Sequence, residues 1–127
     1  MPTIVSSEGD PQAQIVNLST TQTGNGDSTN TLDRRNMRGA ALLKIVTTVG
    51  TTPTVTVNIL GSVDGTNFFN AAYAVGGVTP ETVSVAAIVI TTALTNFYIL
   101  RAGHPWRFLK LVYSANTNVT LTADIFP

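Results

Sequence analysis

The run Thr54-Val55-Thr56-Val57-Asn58-Ile59-Leu60 alternates Thr or Asn with Val or Ile at a period of two. That period sends apolar side chains to one side of an extended chain and polar ones to the other, so the run reads as a strand with one wet face. Outward from it, Val119, Leu121, Ala123 and Ile125 alternate with Thr120, Thr122 and Asp124 in the same manner. Residues 107–113 set Leu109, Leu111 and Tyr113 on one face and Phe108, Lys110 and Val112 on the other. Both faces are mostly apolar, which predicts a central strand. Further strands are expected within 14–19, 41–49, 67–73, 82–90 and 96–101. Turn chemistry separates them at 50–53, Asp64-Gly65, Gly76-Gly77, 103–105 and 116–118, through Gly and Asn that tolerate a left-handed backbone or Pro that fixes φ. About eight short antiparallel strands at such spacing describe a single all-β sandwich or jelly roll. A short helix inside 80–94 competes, because Ala86, Ala87 and Ala93 permit one. The Val and Ile at 83, 85, 88, 89 and 90 oppose it.

Composition points the same way. Thr, Val and Ile make up about a third of the 127 residues, and their branched β-carbons suit a pleated surface. Seven basic and seven acidic residues cancel, and 11% of the chain is charged. A protein that tracks phosphates normally carries a basic surplus, so nucleic acid is not an expected partner. The absence of Cys removes disulfides, thiolate metal sites and cysteine nucleophiles. No stretch approaches the roughly 20 apolar residues of a membrane-spanning helix, and the first residues lack the pattern of a signal peptide. No membrane partner is expected, and synthesis in the cytoplasm is.

Charge and polarity divide the chain. Residues 1–12 and 20–38 are polar and turn-rich, so 1–38 is expected to be an extended N-terminal arm and loop, with 39–127 as the sandwich body. Glu8, Asp10, Asp27 and Asp33 are the only charges before residue 34; Arg34, Arg35, Arg38 and Lys44 then follow without an acid. The plain reading of the Arg cluster is a solvated loop. The sharper one is an interface, in which the Arg forks pair with carboxylates of an arm from a neighbouring copy.

Chemistry-bearing patterns are sparse. Asp64-Gly65-Thr66-Asn67 has the oxygen-rich look of a calcium loop but lacks the alternating ligands and distal Glu of an EF-hand; a hairpin turn explains it. His104 is the only His, has no metal-ligand companions of its kind and follows no nucleophile-elbow pattern, so it reads as a structural turn residue. Trp106 with Tyr73, Tyr98, Phe68, Phe69 and Tyr113 could build a stacking platform. Tyr98 and Tyr113 lie in apolar runs and read as core, whereas Trp106 and the Phe pair adjoin turns. No catalytic residue, metal ligand or cofactor is expected, and the chain does not read as an enzyme.

The strand 54–60 ends in Gly61-Ser62-Val63-Asp64-Gly65-Thr66-Asn67-Phe68, and 105–115 runs Pro-Trp-Arg-Phe-Leu-Lys-Leu-Val-Tyr-Ser-Ala. Over about residues 40–127 this resembles small β-sandwich proteins of tailed-phage virions, and in size it is most similar to the capsid decoration, or cement, proteins. The resemblance implies a jelly-roll-like protein, often a trimer, that sits on the outside of a phage capsid and clamps adjacent major capsid protein subunits. An arm comprising 1–38 would then lay Ile4, Val5, Ile15 or Val16 against a neighbour, adding a strand to an exposed edge, with Arg34, Arg35 and Arg38 as further interface candidates. Two alternatives remain open: a tail, neck or baseplate component on the same sandwich, and a carbohydrate-binding module of a host-recognition fibre that uses Trp106.

Overall fold

Two long strands run antiparallel along their whole length and carry the rest of the molecule. The computed structural model describes residues 3–6, 15–34, 39–77, 80, 82–102 and 104–126. In chain order the strands are β1 (Thr3–Ser6), β2 (Val16–Gln22), β3 (Gly26–Asp27), β4 (Asn30–Asp33), β5 (Ala41–Ser62), β6 (Phe69–Asn70), β7 (Tyr73–Val75), β8 (Val83–Ser84), β9 (Ile88–Ile90), β10 (Leu94–Leu100) and β11 (Phe108–Phe126). There is no helix among the described residues, including the described part of 80–94. The fold is all-β, as the alternation predicts.

Among the described residues, eleven strands stand where eight are expected: β5 and β11 each fuse two of the expected strands, 67–73 and 82–90 each divide into two, and β1, β3 and β4 form within 1–38. The Gly50–Pro53 region bends β5 without reversing it. Thr52 takes φ +49°, and on the facing strand Ala115 and Asn118 take φ +52° and +55°. Pairing runs from Phe108↔Ser62 to Ser114↔Thr56, then Thr117↔Thr54, then from Val119↔Val49 to Phe126↔Leu42. Between these anchors first β11 and then β5 carries extra residues. Bulges on both partners sharpen the local twist and turn a corner together. Pro53 is tolerated there because a bulge spares its missing N–H.

The corner folds the sheet over itself. One half has β2 on β11 and β10 on β5, with β7 and β8 beyond; the other has β3 and β4 on β11 and β9 and β6 on β5. Odd-numbered residues stay inward on both sides of the corner: Leu43, Ile45, Val55, Val57 and Ile59 on β5, and Leu109, Leu111, Tyr113, Leu121 and Ile125 on β11. All of them belong to one hydrophobic cluster, so the halves face each other in a sandwich-like arrangement. Tyr113 donates to Ser19 Oγ at 2.9 Å inside it, which satisfies a hydroxyl that burial would otherwise leave stranded. β11 is central, flanked by β5 and by β2–β4, as its two apolar faces predict.

Residues 16–34, read from composition as part of a loose leader, pair with β11 and place Val16, Leu18 and Leu32 in the core. Three buried apolar side chains are few for this length. The remaining anchorage is polar: Ser28 N donates to Leu111 O at 2.7 Å, Leu111 N to Ser28 Oγ at 3.1 Å, and Asn30 Nδ2 to Asn17 O at 2.8 Å. Composition weighs apolar burial and misses hydrogen bonds made to an existing strand.

Candidate functional site

The described residues among the proposed interface candidates differ in position and exposure. Ile15 is 59% exposed, whereas Val16, its neighbour, is 5% exposed and belongs to the core. Ile4 and Val5 lie in β1, in register with Thr31 and Leu32 of β4. Arg35 and Arg38 fall outside the described residues. Arg34 is 2% exposed, so the solvated-loop reading fails for it and its guanidinium is not offered to a neighbour. Val16 and Arg34 are therefore corrected to interior positions: alternation carries Val16 inward beside Leu18, and hydrogen bonds draw Arg34 under the 101–107 turn.

At that turn Arg34 donates from Nη1 to His104 Nε2 at 2.5 Å and from Nη2 to Gly39 O at 3.0 Å. A guanidinium only donates, so His104 Nε2 is the acceptor and the ring proton sits on Nδ1. The Trp106 N–H, 3.3 Å from that nitrogen, then faces a second donor and contributes little. Burial and, after it, the adjacent Arg34 charge lower the His104 pKa. The neighbouring Asp33 is buried and held by Arg107 through both nitrogens of a fork, Nε to Oδ1 at 2.8 Å and Nη2 to Oδ2 at 3.1 Å. Arg34 N also donates to Arg107 O, and Arg107 N to Ser62 O, so the pair ties β4, β5 and β11 at one end of the sandwich. With Asp33 and Arg107 74 positions apart in sequence, no local pattern announces this pairing.

Ser62 and Asp64 close the next turn. Asp64 Oδ1 accepts from Thr66 N and Asn67 N, each at 2.8 Å, and Oδ2 accepts from Asn67 Nδ2 at 2.8 Å. These bonds, the backbone ones foremost, hold its carboxyl well below the usual carboxylate range. Ser62 Oγ accepts from Gly65 N at 2.9 Å, and Gly65 takes φ +80°, which favours glycine. The carboxylate oxygens are occupied from within the turn, which is the turn reading of this segment. Among the described residues no three His, Asp or Glu side chains converge.

Trp106 has a structural task. Gly61 pairs with Phe69 across β5 and β6, and the indole lies over the space that a Gly61 side chain would fill. Phe69 stacks beside it at 6.3 Å between ring centroids and is 60% exposed. Lys110 Nζ sits 4.2 Å over the Phe68 ring and 3.1 Å from Asp27 Oδ2. Of the suspected aromatics, Tyr73, Tyr98 and Tyr113 are core, and Tyr73 meets Tyr98 edge to face.

One flank is built from a nearly uncharged stretch of sequence. Between Gly65 and Leu100 the sequence has one charged residue, Glu81. Within this stretch Val83, Val85 and Val89 are exposed, the last two at 58% and 63%. β8 and β9 are short edge strands, each paired on one side only among the described residues. Proteins usually guard such edges with charge, Pro or a covering element. The signal for this flank was in the sequence as a gap in charge, which attention to charged clusters passes over.

No known family model matches the chain, and no characterised protein matches it in sequence.

Proposed function

We propose that the chain is a structural virion protein that binds the outside of a phage capsid and clamps neighbouring major capsid protein subunits. The observation that carries this reading is the uncharged flank at 83–93. Exposed Val85 and Val89 beside a short edge strand gain by being covered, and a shell of repeated subunits offers many equivalent places to cover them. The sandwich-like body supports the same reading: two strands of 22 and 19 residues, paired on both sides of their shared corner, make a scaffold from which edges can engage neighbours. The resemblance of 40–127 to decoration proteins supplies the partner, and with it the expectation of a homo-oligomer, a trimer by analogy. The protein would act at the capsid surface by contact alone.

The test is co-sedimentation of purified protein with isolated phage heads. Saturation at a fixed number of copies per capsomer is the expected result, with weaker retention after deletion of residues 1–12. Failure to saturate, or binding to tails alone, would replace the capsid with a tail location.

A further inference from the structure

We propose that β4 is an acceptor edge for an extended strand and that its occupant, residues 3–6, is exchanged between copies, so that β1 of one chain pairs with β4 of another. This goes beyond the capsid reading and concerns the purified protein alone.

β4 is a built slot. Toward β11 its ladder has two residue pairs, Phe108↔Asp33 and Leu109↔Leu32. Toward β1 all four residues are paired, Thr3↔Asn30, Ile4↔Thr31, Val5↔Leu32 and Ser6↔Asp33. Leu32 is fully buried in the core, Thr31 and Asp33 are buried, and the Arg107 fork fixes Asp33. The core placement of Leu32 and the Arg107 fork on Asp33 anchor the slot from the β11 side. Its backbone groups on the outer side still need partners, because a sheet edge stripped of its strand leaves them open.

The occupant is tied to the slot by nothing local. β1 pairs with β4 in parallel, the one parallel pairing among the described residues, and 23 residues (7–29) separate the two strands. In a hairpin a tight turn enforces pairing within the chain. Parallel neighbours have no such turn, and a four-residue parallel ladder is a weak one. Any chain that presents residues 3–6 makes the same ladder, which is the condition for exchanging an identical element between protomers.

Reach allows it. Residues 7–14 read Ser-Glu-Gly-Asp-Pro-Gln-Ala-Gln, and Pro11 has no N–H to extend a strand with. The nine steps from Ser6 to Ile15 span at most about 30 Å. That exceeds the radius of a domain of this size, about 14 Å of gyration, so a chain of this length is long enough to connect two adjacent copies. Contacts are the same in both arrangements, so the balance follows protomer concentration against the effective concentration of the chain's own leader. Crowding copies on a lattice favours exchange.

The chain has no Cys, so an introduced pair reports cleanly. Full-length Thr3→Cys is mixed at high concentration with a size-tagged full-length Asn30→Cys, and the mixture is refolded together and oxidised. The disulfide between tagged and untagged chains can form only between copies. Exchange gives this product at least about tenfold above the out-of-register pair Ser6→Cys with tagged Asn30→Cys, whose positions lie about 10 Å apart along the strands, too far to bridge. Asn30→Cys removes the bond to Asn17 O, so Ile4→Cys with tagged Thr31→Cys is the second pair. In-register yields no higher than the control in both pairs would overturn the exchange. Full closure of the Thr3→Cys/Asn30→Cys double variant within single chains at every concentration would overturn it equally.

Discussion

Gly61→Ala tests whether Trp106 is packing or platform. A Cβ at Gly61 would overlap the indole, with Cδ1 only 2.7 Å away. Gly61 is buried on β5 beside Phe69, so the indole has to shift by close to 1 Å and loosen its stack on Phe69. Overpacking of this kind costs about 1–3 kcal/mol, and the aromatic pair adds about 0.5–1.5 kcal/mol if lost. Removing a strand glycine returns about 0.5–1 kcal/mol through the unfolded chain, which is the smaller effect. A net loss of about 2 kcal/mol lowers the thermal midpoint by roughly 6–10 °C in a chain of this length. The single Trp provides a second reading, since its emission moves to the red as it leaves the glycine. Gly24→Ala is the control: its Cβ meets only Gln22 Nε2, at 3.9 Å, and stability stays within about 0.5 kcal/mol. A Gly61→Ala variant with an unchanged midpoint and emission would refute the packing role and return Trp106 to the ligand-binding candidates.

Thr52 is β-branched at φ +49°, a conformation that Asn tolerates better, so Thr52→Asn should raise stability by about 1 kcal/mol in a urea melt. His104 has its pKa lowered in the fold from 6.5, so the unfolded chain binds the extra proton more readily; its stabilising effect is present above that value and is lost as pH falls below it. Comparing His104→Gln with the parent between pH 7.5 and 5 should show the parent losing more stability, and parallel curves would remove Arg34 and His104 as a source of acid sensitivity. Val89→Lys puts a charge on the uncharged flank at an exposed position, so it should leave the melting curve within about 0.5 kcal/mol while reducing capsid retention at least tenfold. Retention equal to the parent's would detach that flank from the shell.

The fold was legible where the pattern repeats. Alternation at 54–60 and 119–125 locates the inward faces of β5 and β11, and the two apolar faces of 107–113 mark a central strand. What the pattern could not show is that 50–53 bends a strand without ending it. Turn residues raise the chance of left-handed backbone, but reversal or corner depends on the partner, and here β11 bends at the same height. The ordering of the polar stretch 20–31 escapes the pattern for a related reason. Its anchorage comes from ladder bonds to β11 and from Ser28, Asn17 and Asn30 side chains, which have no signature in mean hydropathy.

The candidate surfaces divide along the same line. Asp64-Gly65 was legible as a turn because each of its bonds is local. The burial of Arg34 was not, since it depends on His104, 70 residues away. Charge runs are usually solvated, and that tendency is overridden here by a turn that packs on top of the guanidinium. The exposed Val85 and Val89 were hidden for the opposite reason: strand propensity marks apolar β-branched residues as pairing, but Val85 lies between β8 and β9 and Val89 points away from the core that takes Ile88 and Ile90.

Hydrogen–deuterium exchange on the protein bound to isolated heads addresses the capsid reading at the level of residues. Binding through the uncharged flank should slow exchange of the amides at 83–93 at least tenfold relative to free protein, with the face around Asp27 and Lys110 unchanged. Unaltered exchange across 83–93 in a demonstrably bound state, or protection confined to the Asp27–Lys110 face, would contradict it.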